Sequence, residues 1–517
     1  MCTVSIAFMP SIAVFLSLTL PWLNPFSPGP TPAVMPWLFT LACLALVLLF
    51  AARVRLADVA ASAWLTAALL SSLLGLLQYF DATAVFGSWV NSTSLGEAYG
   101  NLRQRNQFAT LTNIGLVALL WWVAQAQSTF TPTPTVTADA VRLAPLNWRR
   151  LAPMTAAVLL AMGNAASSSR TGLLQLGLLL VMAWAWNHGR SGWRQAAMWR
   201  VLLAAALAYG VATLALPLLA GLDPSAIGIL ARLHDGAPKC ASRLTLWSNV
   251  LHLIAQKPWF GWGWNELDYA HFITLYPGER FCDILDNAHN LPLHLAVELG
   301  VPVALALGGL GAWAVWRAKP WRELDATRQM AWSVLAVILL HSLLEYPLWY
   351  GPFQMAFGLS VWLLWRSPRR LAETSDGFRP LALVLSAVVA TLLLAIVAYA
   401  AWDYYRISQI YLTPKMRSAA YRDNTLAKIA DSWLFRNQVR FAELGIEPLT
   451  RANAAHVNEL ATAMLHFSPE PFVIEPLIES AVLLGRDDEA LFYLMRYQAA
   501  FPTRHARWAE DHPRKDH

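Results

Sequence analysis

Long apolar stretches recur along the chain and predict a series of membrane-spanning helices. A helix needs about 20 apolar residues to cross the hydrocarbon core of a bilayer, and stretches of that kind alternate here with short polar connections. The predicted spans cover roughly residues 4–22, 33–52, 57–80, 105–126, 151–168, 171–187, 199–220, 290–315, 328–345, 351–365 and 380–401. The pattern therefore predicts an all-α, polytopic membrane protein with about eleven transmembrane helices.

Two longer polar segments stand apart from these spans. Residues 221–289 form a long loop rich in Trp, Tyr and charged residues, and residues 402–517 show the pattern of amphipathic helices, with Gly485 between two such runs. The Thr/Pro-rich stretch Ser128–Thr137 is predicted to be a flexible connection. We therefore expect a transmembrane body over residues 1–401, the loop 221–289 within it, and a soluble α-helical C-terminal domain over residues 402–517.

The positions of basic residues predict which side of the membrane each connection faces. Arginine and lysine concentrate in alternate connections, around residues 53–55, 142–150, 190–200, 317–322 and 366–370. Basic connections stay in the cytoplasm, so the long loop and the C-terminal domain are expected on the outer, periplasmic side of a bacterial inner membrane.

Composition agrees with a membrane protein and explains the net charge. The chain is 57% hydrophobic and 14% charged, whereas soluble domains carry about 25% charged residues. Its net charge of +6 is a signal of topology, and nucleic-acid binding is not indicated.

Two of the four cysteines, Cys240 and Cys282, fall in the long outer loop. Thiols in an oxidising compartment form disulfides, but the sequence does not fix the distance between these two residues. A disulfide and a pair of free thiols therefore both remain open.

Arginines also occur in three segments predicted to lie near the outer membrane face, where the charge rule does not call for them. They are Arg103 in Gly100–Gln107, Arg170 in Ser167–Gln175, and Arg243 at the start of an amphipathic stretch in the long loop. A guanidinium group matches phosphate oxygens in bidentate geometry, so anion binding is one interpretation. Structural hydrogen bonding, solvation along an apolar surface and contact with lipid headgroups are the alternatives.

His289 stands where the long polar loop runs into an apolar segment that begins near Pro292. We expect it in the first turn of that helix, where the positive end of the helix favours a neutral imidazole. A neutral imidazole can accept the proton of an attacking hydroxyl. A histidine that only caps the helix is the structural alternative, and for His294 and His341, inside apolar helices, a packing role is expected.

The short outer turn Glu345–Tyr350 carries a carboxylate among aromatic residues that are typical of a membrane interface. Glu345 needs a partner there, and an outer arginine or His289 is expected to supply it. No metal-ligand, Walker or dinucleotide-binding pattern occurs in the sequence, so neither a metal ion nor another cofactor is predicted.

Taken together, these segments resemble the O-antigen ligase/polymerase superfamily and, within it, the bacterial protein O-oligosaccharyltransferases of the pilin-glycosylation (PglL-like) type. The resemblance rests on Gly100–Gln104, Ser168–Gly172, Ser242–Trp247, Pro258–Gly263, His289-Asn290 with Glu298–Gly300, and Glu345–Trp349. One departure is visible, because Arg105 occupies a position where the first of these motifs is expected to have proline.

The resemblance implies transfer of a glycan from an undecaprenyl-pyrophosphate carrier to serine or threonine hydroxyls of a periplasmic protein such as pilin. It gives His289 the role of base, and it assigns Arg170, Arg243 and Arg103 to the pyrophosphate donor. Gln175, Tyr346, Glu345 and Gln104 are implied as supporting residues.

Other functions share this fold or this composition. An O-antigen ligase would modify the lipid A core, and an O-antigen polymerase would extend one lipid-linked glycan with another. A transporter would place ionisable groups near the middle of the membrane and show repeated halves, whereas the charges here gather towards one face and no internal repeat is visible.

Overall fold

The protein is helical throughout the part of the chain that the structure, a computed structural model, describes: residues 2–128, 148–188, 193–225, 227–234, 238–366 and 379–511. Within these ranges there is no β-strand. The α-helices are α1 Cys2–Leu23, α2 Val34–Phe50, α3 Leu56–Tyr79, α4 Arg105–Ser128, α5 Trp148–Ala166, α6 Arg170–Asn187, α7 Trp193–Leu219, α8 Ile229–His234, α9 Arg243–Gln256, α10 Leu267–Ile273, α11 Leu291–Leu299, α12 Val301–Ala318, α13 Ala326–Ser342, α14 Gly351–Trp365, α15 Arg379–Ser408, α16 Thr425–Ile429, α17 Arg436–Ile446, α18 Ala454–Met464, α19 Pro471–Leu483, α20 Asp487–Ala500 and α21 Pro502–Asp511. Most of the predicted flexible stretch Ser128–Thr137 lies outside the described residues.

Several helices have the length and composition of membrane spans. In the described part of the chain, six are long and apolar enough to cross a membrane: Val34–Arg53, Leu56–Tyr79, Arg105–Ala126, Gln195–Leu219, Val301–Arg322 and Leu383–Tyr411. Two shorter apolar helices cover Met9–Leu23 and Leu151–Ala166. The all-helical prediction is therefore confirmed, with several helices of membrane type.

One predicted span is wrong as a single element. The apolar stretch 290–315 consists of two helices, α11 and α12, which are separated at Gly300. Gly300 has φ +88°, and a Cβ atom there would overlap the backbone carbonyl of Trp259. The break exists because the backbone of a neighbouring segment passes against this residue, and only glycine allows both the positive φ and the close approach.

The described chain forms two compact units. The first comprises residues 1–28, 32–235 and 315–398, and the second comprises residues 29–31, 236–314 and 399–517. In the first unit, helix α4 is buried along nearly its whole length, and α3 contributes a run of alanines to the core. Such small residues let the backbones of membrane helices approach closely.

The second unit joins most of the long loop to the C-terminal helices. Phe272 of α10 is buried in the hydrophobic core formed by helices α17 to α20. The ring of Tyr269 stacks on His466 at 3.8 Å, and Arg496 donates from Nε to the backbone oxygen of Ile273 over 2.7 Å. The predicted loop and the predicted C-terminal domain therefore share one core.

The C-terminal helices follow the predicted amphipathic pattern. Gly485, with φ +69°, lies between α19 and α20. The amide of Arg486 closes the end of α19 by donating to the carbonyl of Ala481 over 2.9 Å. A glycine in this left-handed position is a common way to end a helix.

Candidate active site

Polar side chains fill the centre of the first unit where helices α4, α6 and α13 meet. Eight of them are less than 10% exposed: Asn106, Thr110, Asn113, Asn164, Ser169, Gln175, His341 and Glu345. Polar groups within a membrane protein must find partners inside the protein. The structure shows that these residues largely supply one another with hydrogen bonds.

Gln175 is fully buried at the centre of this network. Its Nε2 donates to Thr110 Oγ1 over 2.8 Å and to the backbone oxygen of Val337 over 2.9 Å, while its Oε1 accepts from Asn113 Nδ2 over 3.1 Å. The side chain thus ties α6 to both α4 and α13. Its role is to hold three helices in register, since its whole amide is engaged within the protein.

The hydroxyl of Thr110 joins three neighbours in this network. Its oxygen lies 2.8 Å from the carbonyl of Asn106 and 2.8 Å from Gln175 Nε2. His341 Nδ1 lies 2.9 Å from the same oxygen. Thr110 therefore links His341 of α13 to Gln175 of α6.

Glu345 is linked to the start of helix α6 through one asparagine. Asn106 donates from Nδ2 to Glu345 Oε1 over 3.1 Å, and its Oδ1 accepts from Ser169 Oγ over 2.7 Å. Ser169 caps α6, because its Oγ also accepts from the amide of Gly172 over 3.0 Å. The sequence analysis expected an arginine or His289 as the partner of Glu345 and did not single out Asn106.

Three helices begin with the same turn geometry. Arg103, Ser168 and His289 have φ values of +59°, +51° and +48°, and each lies two residues before the first residue of α4, α6 or α11. The side chain of the intervening residue caps each helix by accepting from a backbone amide three residues later. Gln104 accepts from Gln107 over 3.0 Å, Ser169 from Gly172 over 3.0 Å, and Asn290 from Leu293 over 3.1 Å. The sequence predicted His289 in the first turn of its helix. In the structure it lies before that helix. Left-handed backbone at non-glycine residues is uncommon and concentrates at functional sites.

The outer arginines differ in their surroundings. Arg170 and Arg243 are each the first residue of a serine-capped helix, and Arg170 is exposed whereas Arg243 is half-buried. Arg103 donates to Ser27 Oγ and to the backbone oxygen of Pro25, so it anchors the segment after α1.

Arg105 is the first residue of α4 and pairs with Glu97 at 2.9 Å. Proline is favoured at this helix position because its amide needs no partner there. The arginine in place of the expected proline therefore leaves the start of the helix intact.

In the second unit, His289 lies in a turn whose backbone is fixed on both sides. Its amide donates to Asn287 Oδ1 over 2.9 Å, and Trp247 Nε1 donates to the carbonyl of Ala288 over 3.1 Å. Trp247 belongs to α9, which begins with Arg243. The helix that carries the arginine is thus bonded directly to the residue before the histidine.

A disulfide strengthens the same connection. Cys240 and Cys282 are bonded, with their Cα atoms 5.3 Å apart and a separation of 42 positions in sequence. Cys240 lies just before α9, and Cys282 lies in the segment that leads to His289. Of the two alternatives left open by the sequence, the structure has the bonded one.

Carboxylates surround the histidine turn. Burial raises the pKa of Asp268 to about 7, and the nearby carboxylates of Asp286 and Glu266 act in the same direction. Asp286 keeps contact with solvent, yet partial desolvation raises its pKa, while His289 lowers it. The opposing effect of His289 means that its imidazole lies within electrostatic reach of the Asp286 carboxylate.

Two further histidines in this unit have structural roles. His271 is buried between Tyr276 OH, 2.8 Å from its Nδ1, and the carbonyl of Phe281, 3.2 Å from its Nε2. Burial lowers the pKa of His271 to about 3, so it is neutral. His294 lies 3.5 Å from Glu298, with Nε2 facing Oε2.

The structure distributes the predicted site residues over both units. The first unit contains Arg103, Gln104, Arg170, Gln175, Glu345 and Tyr346, and the second contains Cys240, Arg243, Cys282 and His289. Tyr346 is half-buried, and its ring stacks on Tyr350 at 5.9 Å.

Sequence reasoning missed the polar face of helix α4. Asn106, Thr110 and Asn113 are spaced so that they lie on one side of a helix, inside a segment that is otherwise apolar. That spacing was the available signal, because polar residues within a membrane span are usually functional or structural contacts.

One group of possible metal ligands occurs among the described residues, in the C-terminal helices. It consists of Glu443, Glu447 and His456, whose ligand atoms lie within 4.8 Å of one another. The group contains none of the predicted site residues.

Comparisons with known proteins cover most of the chain after residue 97. A family model described as "Protein glycosylation ligase" matches residues 98–123, one described as "O-Antigen ligase" matches residues 155–308, and one described as "Virulence factor membrane-bound polymerase, C-terminal" matches residues 329–515. All the predicted site residues lie within these matches. No solved structure matches the chain.

Among curated proteins, the chain is similar to the general O-oligosaccharyltransferase of Acinetobacter baylyi. The two are 24% identical over 360 residues, which cover 66% of this chain and 56% of the relative. The chain thus aligns with little more than half the length of this relative.

Proposed function

Because this chain belongs to the superfamily of O-antigen ligases and protein glycosylation ligases, we propose that it is an O-oligosaccharyltransferase. The donor is a glycan on undecaprenyl pyrophosphate, and the acceptors are serine or threonine hydroxyls of periplasmic proteins such as pilin. The protein is a multi-pass membrane protein. We place it in the bacterial inner membrane with about eleven spans, and with the outer loop and the C-terminal helices in the periplasm.

In the proposed reaction, the imidazole of His289 takes the proton of the acceptor hydroxyl. The hydroxyl oxygen attacks the anomeric carbon of the glycan, and a new carbon–oxygen bond forms as the bond to the lipid pyrophosphate breaks. Pyrophosphate leaves with the bonding electrons, and the guanidinium groups of Arg170 and Arg243 stabilise its charge. The charge on the leaving group is met by arginines, so the proposal includes no metal ion.

One arrangement supports this proposal most directly. Helix α9 starts at Arg243, and its Trp247 bonds the backbone next to His289 over 3.1 Å. The helix with the proposed phosphate-binding group is therefore hydrogen-bonded to the turn with the proposed proton acceptor, and such a link favours the preorganisation that group transfer needs. Asp286 lies within electrostatic reach of His289, because the histidine lowers the pKa of this carboxylate.

The first unit supplies the remaining groups of the proposal. Arg170 is the first residue of a capped helix, where the helix dipole adds to its positive charge. Gln175 and Glu345 act through the buried network that fixes α6. Arg103 supports the donor side by anchoring the segment that follows α1.

Two family matches favour related reactions as alternatives. The match of residues 155–308 to the O-antigen ligase model favours transfer to the lipid A core. The match of residues 329–515 to the C-terminal model of a membrane-bound polymerase favours extension of a lipid-linked glycan. All three reactions use the same donor chemistry and differ in the acceptor.

The acceptor decides between them in one assay. The purified chain is incubated with lipid-linked glycan and either pilin, rough lipopolysaccharide or a second lipid-linked glycan. We expect glycan on pilin serine or threonine, seen as a mass shift of the corresponding peptides. Transfer to lipopolysaccharide alone, or only elongation of the lipid-linked glycan, contradicts the proposed acceptor.

The catalytic assignment has its own test. His289→Ala should lower the rate of transfer by at least a hundredfold, the lower range for loss of a general base. The matched control is His252→Ala, since His252 is a half-buried histidine of the same unit on α9. Near-normal transfer by a well-folded His289→Ala variant rules out the base assignment.

A further inference from the structure

A large cleft runs along helix α2 in the first unit. Its volume is about 1030 Å³, and its walls come chiefly from α2, α14 and the start of α13. Helix α2 has 17 residues, which makes it about 25 Å long, and the cleft follows it from Trp37 to Leu48. The stretch from Trp37 to Leu48 is about 17 Å long, so the cleft extends through more than half of a hydrocarbon core about 30 Å thick.

The walls of the cleft are apolar. They include Leu41, Leu44 and Leu48 of α2 and Met355 and Leu359 of α14. Water has too few polar partners in such a space to be held there. Between membrane-spanning helices, a hydrocarbon chain is the occupant that fits these walls.

One end of the cleft is strongly basic. Arg53, Arg328 and Arg366 line it, together with a single carboxylate, Asp325. Arg328 is already engaged, because it pairs with Glu323 at 2.6 Å and donates to the carbonyl of Leu364 over 2.7 Å.

The other two arginines of this end are exposed. Arg53 and Arg366 lie with their guanidinium groups against the rings of Phe50 and Trp362, 5.9 and 4.6 Å from the ring centroids. An aromatic ring beneath each guanidinium holds the charge close to the apolar mouth.

The basic end is remote from the proposed donor phosphates. Helix α14 starts at Gly351, shortly after Glu345, and ends at Trp365, next to Arg366. Glu345 and Arg366 therefore lie beyond opposite ends of α14. Towards the Glu345 end, the cleft is lined by a neutral pair, with Trp37 Nε1 donating to Gln354 Oε1 over 2.9 Å.

We propose that this cleft binds an anionic glycerophospholipid. The acyl chains lie along α2 and α14, and the phosphate lies between Arg53 and Arg366. The arrangement is a basic pocket between membrane helices, of the kind that selects anionic headgroups. A lipid-linked glycan donor does not fit this cleft, since the proposed function places the donor's phosphates near the opposite end of α14.

The headgroup preference is tested by native mass spectrometry of the delipidated full chain. Dioleoyl phosphatidylglycerol and dioleoyl phosphatidylcholine are titrated separately, and we expect one tightly bound phosphatidylglycerol per chain. Each arginine near an anionic headgroup contributes about 1 kcal/mol, or roughly fivefold in affinity. Arg53→Gln with Arg366→Gln should therefore weaken phosphatidylglycerol binding by about thirtyfold.

Arg55→Gln is the matched control. Arg55 lies two residues from Arg53 and pairs with Asp58, but it does not line the cleft. We expect no change in affinity for this variant. Equal binding of both lipids would show that the charge of the headgroup is not recognised. An equal loss in Arg55→Gln would show that only general surface charge acts. Either result would overturn the site.

A second variant tests the cleft without changing any charge. Gly358 lines the cleft, and a Cβ atom at this position meets no atom within 4 Å. Gly358→Phe should fill the cleft and abolish binding of phosphatidylglycerol. Gly177→Phe is the control, because Gly177 of α6 is equally open and lies outside the cleft.

Two results of this experiment contradict the proposal. Undiminished lipid binding in Gly358→Phe excludes the cleft as the binding site. If Gly358→Phe instead dissociates an oligomer while lipid binding stays, the cleft is covered by a second copy of the chain.

Discussion

Asn106 donates to the buried carboxylate of Glu345 over 3.1 Å and accepts from Ser169, the residue that caps the helix headed by Arg170. Its amide thus has one orientation that satisfies both neighbours. The Ser169 hydroxyl oxygen accepts from the amide of Gly172 and its proton points to Asn106 Oδ1, so the NH₂ group of Asn106 faces Glu345. The position of Arg170 depends in this way on a carboxylate carried by the turn after α13.

Replacement of Asn106 by leucine should therefore lower transfer activity. The leucine has a similar volume, but it leaves Glu345 and Ser169 without their bonds to this residue. Loss of a buried partner costs about 1–3 kcal/mol, so we expect a loss of roughly tenfold to a hundredfold in the rate of glycan transfer. Thr112→Val is the control, since buried Thr112 bonds only the carbonyl of Ala109 on its own helix. Equal losses in the two variants would show that Asn106 has no special link to Arg170.

Asp268 should make the stability of the second unit depend on pH. An unfolded aspartate loses its proton near pH 4, whereas burial keeps the proton on folded Asp268 until about pH 7. Between these pH values the folded form binds more protons than the unfolded form. The free energy of unfolding therefore falls as the pH rises from about 4 to 7, and it is constant above about pH 7. The full effect is about 2 to 4 kcal/mol.

Thermal unfolding between pH 5 and 8 measures this dependence. Asp268→Asn should remove it and raise the unfolding temperature at pH 8 above that of the unchanged chain. Asp223→Asn serves as the control, because a hydrogen bond from Ser225 lowers the pKa of Asp223 and keeps its titration below this window. An unchanged pH profile in Asp268→Asn excludes Asp268 as its source.

Removal of the disulfide should loosen the turn that carries His289. The bond between Cys240 and Cys282 closes a loop of 42 residues, which is worth about 4 kcal/mol in the entropic model. We expect Cys240→Ser to lower both the unfolding temperature and the rate of transfer. The comparison variant is Cys43→Ala, which removes the free thiol buried in α2 and should leave transfer unchanged. A Cys240→Ser chain with full activity would show that the hydrogen bonds of Asn287 and Trp247 hold the turn without the disulfide.

Gly300→Ala should destabilise the second unit. The added Cβ overlaps the carbonyl of Trp259, and the residue must keep φ +88°. We expect a loss of more than 1 kcal/mol, measured as a lower unfolding temperature. At Gly308 in α12 a Cβ meets nothing within 4 Å, so Gly308→Ala should be neutral or stabilising. Similar unfolding temperatures for the two variants would contradict the close approach.

The apolar pattern was sufficient to predict the helices of the body, because membrane spans are set by length and composition. It failed at residues 290–315, where the interruption depends on contact between Gly300 and Trp259, two residues far apart in sequence. A hydropathy profile averages residues that are adjacent in sequence, so it contains no information about contacts between distant segments. A glycine within an apolar run does not by itself indicate whether the helix continues or ends there.

The candidate site was predicted only in part for a similar reason. Arg170, Arg243 and His289 were found through their chemistry and through the family resemblance. Asn106 lies in none of the motifs that carry the resemblance, and nothing in the sequence indicates its hydrogen bond with Ser169. Such pairing across α4 and α6 appears only when the helices are packed.

Phe272 lies among C-terminal helices that are translated some 190 to 225 residues after it, from Val457 to Tyr497. The ribosome therefore synthesises Phe272 long before the helices that enclose its ring. Until those helices are made, this aromatic side chain has no core to enter. A premature stop codon between Val457 and Tyr497 would consequently remove partners of Phe272 and destabilise a segment far from the lesion.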